Sequence, residues 1–170
     1  MGPVPQEDLL SWVVYGERNF LTFKNNSLTK FKSFEGYELR LRSIKLIAIY
    51  RPPPSKKNKF TTAVFLDEFE DLIDSYVTEQ QIILLGDTTF HYDSTTDNYV
   101  KKLKTMLNNR NLHQAIDEPT HIKTHTLDWL ILREDDTSIY GIQVSDKALS
   151  DHFVITFTIP IDRPKVEKKQ

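Results

Sequence analysis

The stretch IILLGDTTFHYD, from Ile82 to Asp93, decides the fold of this chain. Its opening aliphatic run is too short for a lone helix and is typical of a strand that is buried on both faces. Gly86 then allows the backbone to turn where a side chain would collide, and Asp87, Thr88 and Thr89 follow at the carboxyl end of the strand. Open α/β sheets usually place their ligands at this end. The stretch therefore predicts a core strand that leads into a metal or phosphate site.

His91 and Asp93 extend this set of polar side chains. Carboxylate oxygens are the ligands that hard cations prefer, and an imidazole can move a proton or contact a phosphate. An alternative interpretation is purely structural: Asp87 and Asp93 would cap the loop and the next helix, as aspartates often do. On this stretch alone, both interpretations stay open.

Composition narrows the class of protein. A chain of 170 residues is the size of one domain with a real core, and its formal charge of -2 excludes a global basic field of the kind that marks many nucleic-acid binders. The chain has no cysteine, which excludes disulfides, thiolate metal sites and cysteine nucleophiles. Nothing resembles a signal peptide or a membrane-spanning segment, so we expect a soluble intracellular protein, nuclear or cytoplasmic.

The flanking patterns predict an α/β arrangement. Ile44 to Tyr50 is an apolar strand that ends at a run of prolines, and Phe60 to Tyr76 has apolar residues at helical spacing. With the strand at Ile82, these elements predict a strand-helix-strand crossover. Further predicted elements are short apolar runs at Leu9 to Val14 and Phe20 to Phe23, a hairpin or loop at Lys24 to Lys30, a strand at Tyr37 to Leu41, a helix from about Asp97 to Asn109, a strand or turn at Leu112 to Ile116, and strands at Thr126 to Leu132, Gly141 to Val144 and Phe153 to Ile159.

Two further polar groups interrupt or precede apolar strands. Asp128 lies inside the run TLDWLIL, where a charge is costly to bury unless a partner compensates it. Asp151 and His152 come immediately before the apolar run FVITFTI. Together with Asp87, these residues are the types that metal-assisted phosphodiester hydrolysis requires. Alternatively, Asp128 is a structural acid bonded to backbone amides, and His152 is a core histidine.

Four motifs occur in a recognisable order: YRPP at Tyr50 to Pro53, LLGD at Leu84 to Asp87, THxxxHTLDWLIL at Thr120 to Leu132, and LSDHF at Leu149 to Phe153. In this order they resemble the C-terminal part of the endonuclease/exonuclease/phosphatase superfamily, most closely the endonuclease domains of LINE-type retrotransposons. The resemblance implies part of a DNase I-like four-layer α/β sandwich, with two sheets face to face and helices outside. It also implies cleavage of phosphate esters with a divalent metal, usually Mg2+.

The resemblance assigns roles to individual residues. Asp87 matches the aspartate that orients or deprotonates the attacking water, and Asp151 matches an acid of the metal site. His152 matches the histidine that contacts the scissile phosphate, and Asp128 matches the acid that partners this histidine. Tyr50 matches a phosphate-binding tyrosine. Thr126 occupies a small hydroxyl position upstream of Asp128 and is expected to act through its neighbours.

The chain departs from the family pattern after Asp87. Family members normally have Phe-Asn or Leu-Asn there, and the asparagine amide positions the water or stabilises the developing phosphorane. This chain has Thr88 and Thr89. A hydroxyl at Thr89 is shorter and lacks the two amide donors, and the loss of one such donor typically costs about 10²–10³ in rate.

A second departure concerns the N-terminal half of the family fold, which supplies a glutamate metal ligand. We expect residues 1–30 to be a divergent segment, 31–160 to be the endonuclease-like domain with its N-terminal sheet truncated, and 161–170 to be a charged tail. Glu17 and Asn19 are substitutes by residue type, but their YGERN context does not match the family. A truncated sheet would leave an apolar face in water, which predicts a protein partner or self-association over that face.

Two functions remain, while a third, a small-molecule or lipid phosphatase, would share the site but has no separate support in the sequence. The first is a degenerate, retrotransposon-derived domain that has lost efficient catalysis and serves as a binding or assembly module, without a required metal. The second is an active endonuclease that uses Mg2+ or Mn2+ and cleaves DNA or another nucleic acid through Asp87, Asp128, Asp151 and His152. The threonine pair and the divergent N-terminal segment favour the first function.

Overall fold

The computed structural model describes residues 25–41, 43–55, 60–137, 139–148 and 150–160. The strands in these ranges are β1 (Asn25–Ser27), β2 (Glu35–Leu41), β3 (Ile44–Tyr50), β4 (Gln81–Asp87), β5 (Leu112–Gln114), β6 (Asp128–Arg133), β7 (Tyr140–Ala148) and β8 (Phe153–Thr158). The helices are α1 (Thr62–Asp74) and α2 (Asn98–Asn108). The apolar runs predicted at Leu9 to Val14 and Phe20 to Phe23 lie outside the described residues.

Six of these strands form one mixed sheet in the order β1-β2-β3-β4-β6-β5. The predicted crossover is confirmed, because β3 and β4 are parallel neighbours and α1 connects them. Thr61 begins α1 by accepting a hydrogen bond from the backbone N–H of Val64. One prediction was wrong: Asn25–Ser27, expected at the centre of a hairpin or loop, form a strand that pairs with β2.

The buried faces of β4 separate two cores. Ile82 and Leu84 join the core under α1 and α2, whereas Ile83 and Leu85 join a core on the opposite face. The alternation follows from the two-residue period of a strand. The prediction of a strand buried on both faces is therefore confirmed.

Gly86 has a different role from the one expected. It lies inside β4, and its φ angle is not positive, so it does not serve a turn. A Cβ atom at this position would lie 3.3 Å from Ile49 Cγ1 and 3.4 Å from Trp129 Cε3. Glycine is needed because neighbouring side chains crowd this point of the sheet.

The second face of the sheet carries a two-stranded ribbon, β7 and β8. Ile142, Val144, Ile155 and Phe157 of the ribbon are partly buried against the core of this face. The face predicted to be open is thus covered in part by the chain itself. Helices, a six-stranded sheet and a short second sheet form part of a four-layer α/β sandwich, as predicted, with the second sheet reduced to two strands in the described ranges.

The helices of this fold are short. Among the described residues, no helix has the length and apolar character that crossing a membrane requires.

Candidate active site

Three polar residues lie in one row at an edge of the main sheet. β3 and β4 end there at Tyr50 and Asp87, and the antiparallel strand β6 begins there at Asp128. The register pairs Tyr50 with Asp87 and Asp87 with Asp128, so the three side chains point to the same face. The row one position along the strands contains Ile49 and Trp129, which belong to the core under the helices. The polar row therefore faces the side of the ribbon.

A short segment, residues 120–122, joins the start of β6 to the start of β8. The buried hydroxyl of Thr120 accepts hydrogen bonds from the backbone N–H groups of Leu127 and Asp128, both at 3.0 Å. The carbonyl oxygen of Thr120 accepts a bond from the N–H of Phe153 at 2.8 Å. His121 and His152 form an isolated β-bridge beside these bonds. The segment thereby brings His152 to the polar row.

Asp128 and His152 form a dyad. Nδ1 of His152 lies 2.8 Å from Oδ2 of Asp128, and the carboxylate is buried. The hydrogen bond and the charge of Asp128 outweigh partial burial and raise the pKa of His152 to about 9, with help from Asp87 and Asp151. The imidazole is therefore protonated at neutral pH, and the aspartate that looked costly in the sequence has its partner.

Asp87 completes a compact group with this dyad. Ligand-type atoms of Asp87, Asp128 and His152 all lie within 4.8 Å of one another. Two carboxylates this close repel each other unless a positive charge compensates them. The imidazolium of His152 supplies such a charge, and a divalent cation could supply another.

Asp151 lies on the solvent side of the dyad. Its side chain is 60% exposed, and its Oδ2 lies 3.4 Å from Nε2 of His121. The pKa of Asp151 is lowered by its own backbone N–H, by the hydroxyl of Ser150 and, to a smaller extent, by His121 and the charge of His152. Atoms of His121, Asp151 and His152 also lie within 4.8 Å of one another.

A divalent cation fits these residues in part. The carboxylates of Asp87 and Asp151 are ligands that Mg2+ or Mn2+ prefers, and the exposure of Asp151 leaves room for water and a phosphate oxygen. Among the described residues, the groups that could hold a metal contain no glutamate. The assignment of Asp151 to a metal site stays a prediction.

Both threonines after β4 have buried hydroxyl oxygens. Thr88 is buried, and its hydroxyl donates to the carbonyl oxygen of Leu127 at 3.1 Å and accepts from the N–H of Phe90 at 3.3 Å. The hydroxyl oxygen of Thr89 is buried and has no hydrogen-bond partner in the structure. Thr89 therefore does not reproduce the donor pair that the family asparagine would present.

The remaining predicted residues lie beside the site. Oδ1 of Asp93 accepts from the N–H of Thr126, and Oδ2 of Asp93 lies 3.1 Å from Nδ1 of His125, whose ring stacks on His91. The proposed capping of the next helix by Asp93 was wrong, because Asp97 caps α2. The hydroxyl of Thr126 donates to the carbonyl oxygen of Glu118, which is consistent with an indirect role.

Sequence reasoning missed two residues of the site. Thr120 and His121 stood inside the quoted motif THxxxHTLDWLIL, but no role was assigned to either residue. The structure places Thr120 against the backbone of β6 and His121 against Asp151. The signal in the sequence was a threonine and a histidine at fixed spacing before Asp128. The contacts of these two residues form only in the folded chain.

An α/β sandwich with an Asp-His dyad, a third carboxylate beside it at the sheet edge and a fourth just before β8 is the arrangement expected of the DNase I-like class, the endonuclease/exonuclease/phosphatase superfamily. Within this class, the chain belongs to the endonuclease-reverse transcriptase family, whose model matches residues 44–156. The recognition of a LINE-like endonuclease domain is thereby confirmed.

One solved structure with a TM-score above 0.5 agrees on the fold. The endonuclease domain of TRAS1, a telomere-specific non-LTR retrotransposon, is 18% identical with a TM-score of 0.53, and the match covers 81% of this chain and 67% of that domain. The human nocturnin catalytic domain is 16% identical with a TM-score of 0.46, covering 80% of this chain and 60% of that domain. The Haemophilus ducreyi cytolethal distending toxin is 16% identical with a TM-score of 0.43, covering 82% and 57%. No curated protein sequence matches significantly.

Proposed function

We propose that this domain binds nucleic acid through a retained phosphodiester site and cleaves it poorly, so that it acts as a binding or assembly module of retrotransposon descent. The observation that carries the proposal is the dyad of Asp128 and His152, with its 2.8 Å hydrogen bond. A protonated imidazole, fixed by a buried carboxylate, is a suitable partner for a phosphate oxygen.

Each residue of the site has a separate role in this proposal. His152 donates a hydrogen bond to a non-bridging phosphate oxygen through Nε2, while Asp128 keeps the ring protonated and oriented. Asp87 accepts a hydrogen bond from the attacking water, and Tyr50 lies in register beside it to contact the phosphate. A bound Mg2+ or Mn2+ would supply Lewis-acid stabilisation of the phosphate charge, and Asp151 is the residue to hold it.

Two features limit the rate. Thr89 cannot donate two amide hydrogens to the developing phosphorane, and the loss of one comparable donor costs about 10²–10³ in rate. No glutamate belongs to the groups that could hold a metal among the described residues, so these residues offer the cation fewer anionic ligands than the family site. Binding of the phosphate backbone is less affected, because it depends on His152 and on local contacts.

The second candidate is an active endonuclease. The 60% exposure of the Asp151 side chain favours it, because a further ligand from elsewhere in the protein could reach the cation there. Residues 1–24 lie outside the described ranges, and the chain spans 67% of the TRAS1 endonuclease domain, so a ligand outside the described residues is compatible with the structure.

Oligonucleotide binding and plasmid nicking separate these candidates. Binding is measured by fluorescence anisotropy in EDTA, and nicking in Mg2+ or Mn2+, for the wild type, His152→Ala and Asp151→Ala. Binding that His152→Ala weakens, with little nicking, supports the impaired domain. Metal-dependent nicking that both variants abolish supports the active enzyme. A wild-type protein that shows no binding and no nicking would overturn both candidates.

We also propose that a protein or a second copy packs beside the ribbon, over the part of this sheet face that the ribbon leaves partly uncovered. Val144, Ile155 and Phe157 are only partly buried, although they are apolar. Light scattering during size-exclusion chromatography tests self-association: a dimer that Phe157→Ser dissociates while the domain stays folded supports it. A monomer at all concentrations would exclude self-association.

A further inference from the structure

His121 is an imidazole to which the chemistry above assigns no task. It is 7% exposed and lies in the segment 120–122, which bridges the starts of β6 and β8 through hydrogen bonds. Its ring meets the ring of His152 edge to face, with 5.0 Å between the ring centroids. A buried polar ring next to the dyad needs hydrogen-bond partners on both nitrogens, and the structure provides them.

The two partners fix the tautomer of His121. The backbone N–H of Lys123 donates to Nδ1 at 3.1 Å, so Nδ1 acts as an acceptor and carries no proton. In a neutral ring the proton is therefore on Nε2. Nε2 lies 3.4 Å from Oδ2 of Asp151, at the long end of the range for a hydrogen bond. The imidazole donates to this carboxylate.

We propose that His121 is a positioning residue, which holds the carboxylate of Asp151 beside His152 and is not itself a metal ligand. Asp151 is exposed, so the orientation of its side chain depends on a few hydrogen bonds. Its Oδ1 accepts from the hydroxyl of Ser150 at 3.1 Å, and its Oδ2 accepts from His121. Because both oxygens are engaged, the carboxylate has one preferred orientation before a cation arrives. The metal-related part of this inference rests on the proposed function.

The tautomer also decides between two kinds of metal site. A group of His121, Asp151 and His152 would suit an imidazole-binding transition metal such as Zn2+ if both rings offered a free nitrogen. Nε2 of His121 carries the proton and cannot coordinate unless the bond from Lys123 breaks. The geometry therefore favours a carboxylate-held Mg2+ or Mn2+ over a histidine-held Zn2+.

Two substitutions separate the two hydrogen bonds of this ring. His121→Gln places an amide donor near the position of Nε2, whereas His121→Asn can keep the acceptor for the N–H of Lys123 but is too short to reach Asp151. Mn2+ affinity is measured by calorimetry for the wild type and both variants, with thermal melting as a check on folding. We expect His121→Asn to lose about 10-fold in affinity, the lower end of the effect of such supporting groups. His121→Gln should stay within about 3-fold of the wild type.

A second readout does not depend on the metal. The ring ¹⁵N shifts of metal-free protein report which nitrogen of His121 carries the proton, and we expect Nε2. A proton on Nδ1, equal losses of affinity in both variants, or no loss in His121→Asn while it remains folded would overturn the inference. If the wild type binds no Mn2+, the metal-dependent function fails, and the ring shifts then decide the contact with Asp151 by themselves.

Discussion

Asp87 and Asp128 are direct partners in the antiparallel ladder between β4 and β6, with both side chains on the face that carries the ribbon. Adjacent carboxylates destabilise each other when no positive charge lies between them. His152 provides this charge, since its Nδ1 lies 2.8 Å from Asp128 and Asp87 further raises its pKa. The imidazolium thus offsets the repulsion that this register creates, and the dyad is a structural as well as a chemical unit.

Asp128→Asn should lower the pKa of His152. The amide keeps the shape of the side chain but removes the charge that stabilises the imidazolium, so the pKa should fall from about 9 toward 6.5. Losing one close opposite charge usually lowers such a pKa by about 1–3 pH units. NMR titration of the His152 ring measures the change.

The matched control for this experiment is Asp93→Asn. Asp93 contacts His125 in the same way, with 3.1 Å between Oδ2 and Nδ1, but it does not belong to the dyad. The titration of His152 should be unchanged in this variant. An unchanged pKa in Asp128→Asn would mean that Asp128 does not hold the proton.

The dyad should also make stability depend on pH in metal-free protein. The pKa of His152 is raised in the folded state, so its contribution to stability is complete below pH 6.5 and disappears as the pH rises through about 9. The free energy of unfolding of the wild type should therefore exceed that of His152→Gln most at pH 6.5. Urea unfolding in EDTA at pH 6.5, 8 and 9.5 measures this difference. A difference that grows with pH would contradict the assignment.

The sequence predicted those parts of the fold that local pattern determines. The aliphatic run of β4 and the apolar spacing of α1 and α2 follow from periodicity, and the burial of Asp128 follows from its position inside an apolar run. The cost of burying a charge then predicts a partner for this residue. The meeting of Asp128 with His152 came from the family resemblance, because no local pattern determines which strand ends meet.

Other features depend on tertiary contacts that the sequence does not encode locally. Gly86 was predicted to serve a turn, but it accommodates Ile49 and Trp129 from neighbouring strands. Thr120 had no predicted role, because its two backbone partners lie seven and eight residues away and approach it only in the folded loop. The contact of His121 with Asp151 spans 30 residues, so the local sequence could not predict it either.

Thr120→Val should destabilise the domain and disturb the start of β6. Valine is similar in shape but cannot accept from the N–H groups of Leu127 and Asp128, which would then be buried without partners. Each unsatisfied buried group costs about 1–3 kcal/mol. Urea unfolding should show a loss of at least about 2 kcal/mol, the sum of two small penalties.

Thr120→Ser is the matched control for that loss. Serine keeps the accepting oxygen and removes one buried methyl group, which costs about 1 kcal/mol. Equal destabilisation by the two variants would show that packing of the methyl group, and not the pair of hydrogen bonds, explains the role of this residue.

Thr89→Asn alone should not produce an efficient nuclease. The substitution restores the amide that the family uses. The hydroxyl that it removes is buried without a hydrogen-bond partner, so its loss costs little. One donor supplies at most about 10²–10³ in rate, and the groups that could hold a metal would still contain no glutamate among the described residues. Plasmid nicking in Mn2+, compared among the wild type, Thr89→Asn and Thr89→Asn with His152→Ala, measures the gain and its dependence on the dyad. We expect a small increase in the nicking rate, which the His152→Ala substitution removes. Rapid, metal-dependent nicking by the single variant would mean that the cation is already fully held, and that the asparagine alone separates this domain from an active endonuclease.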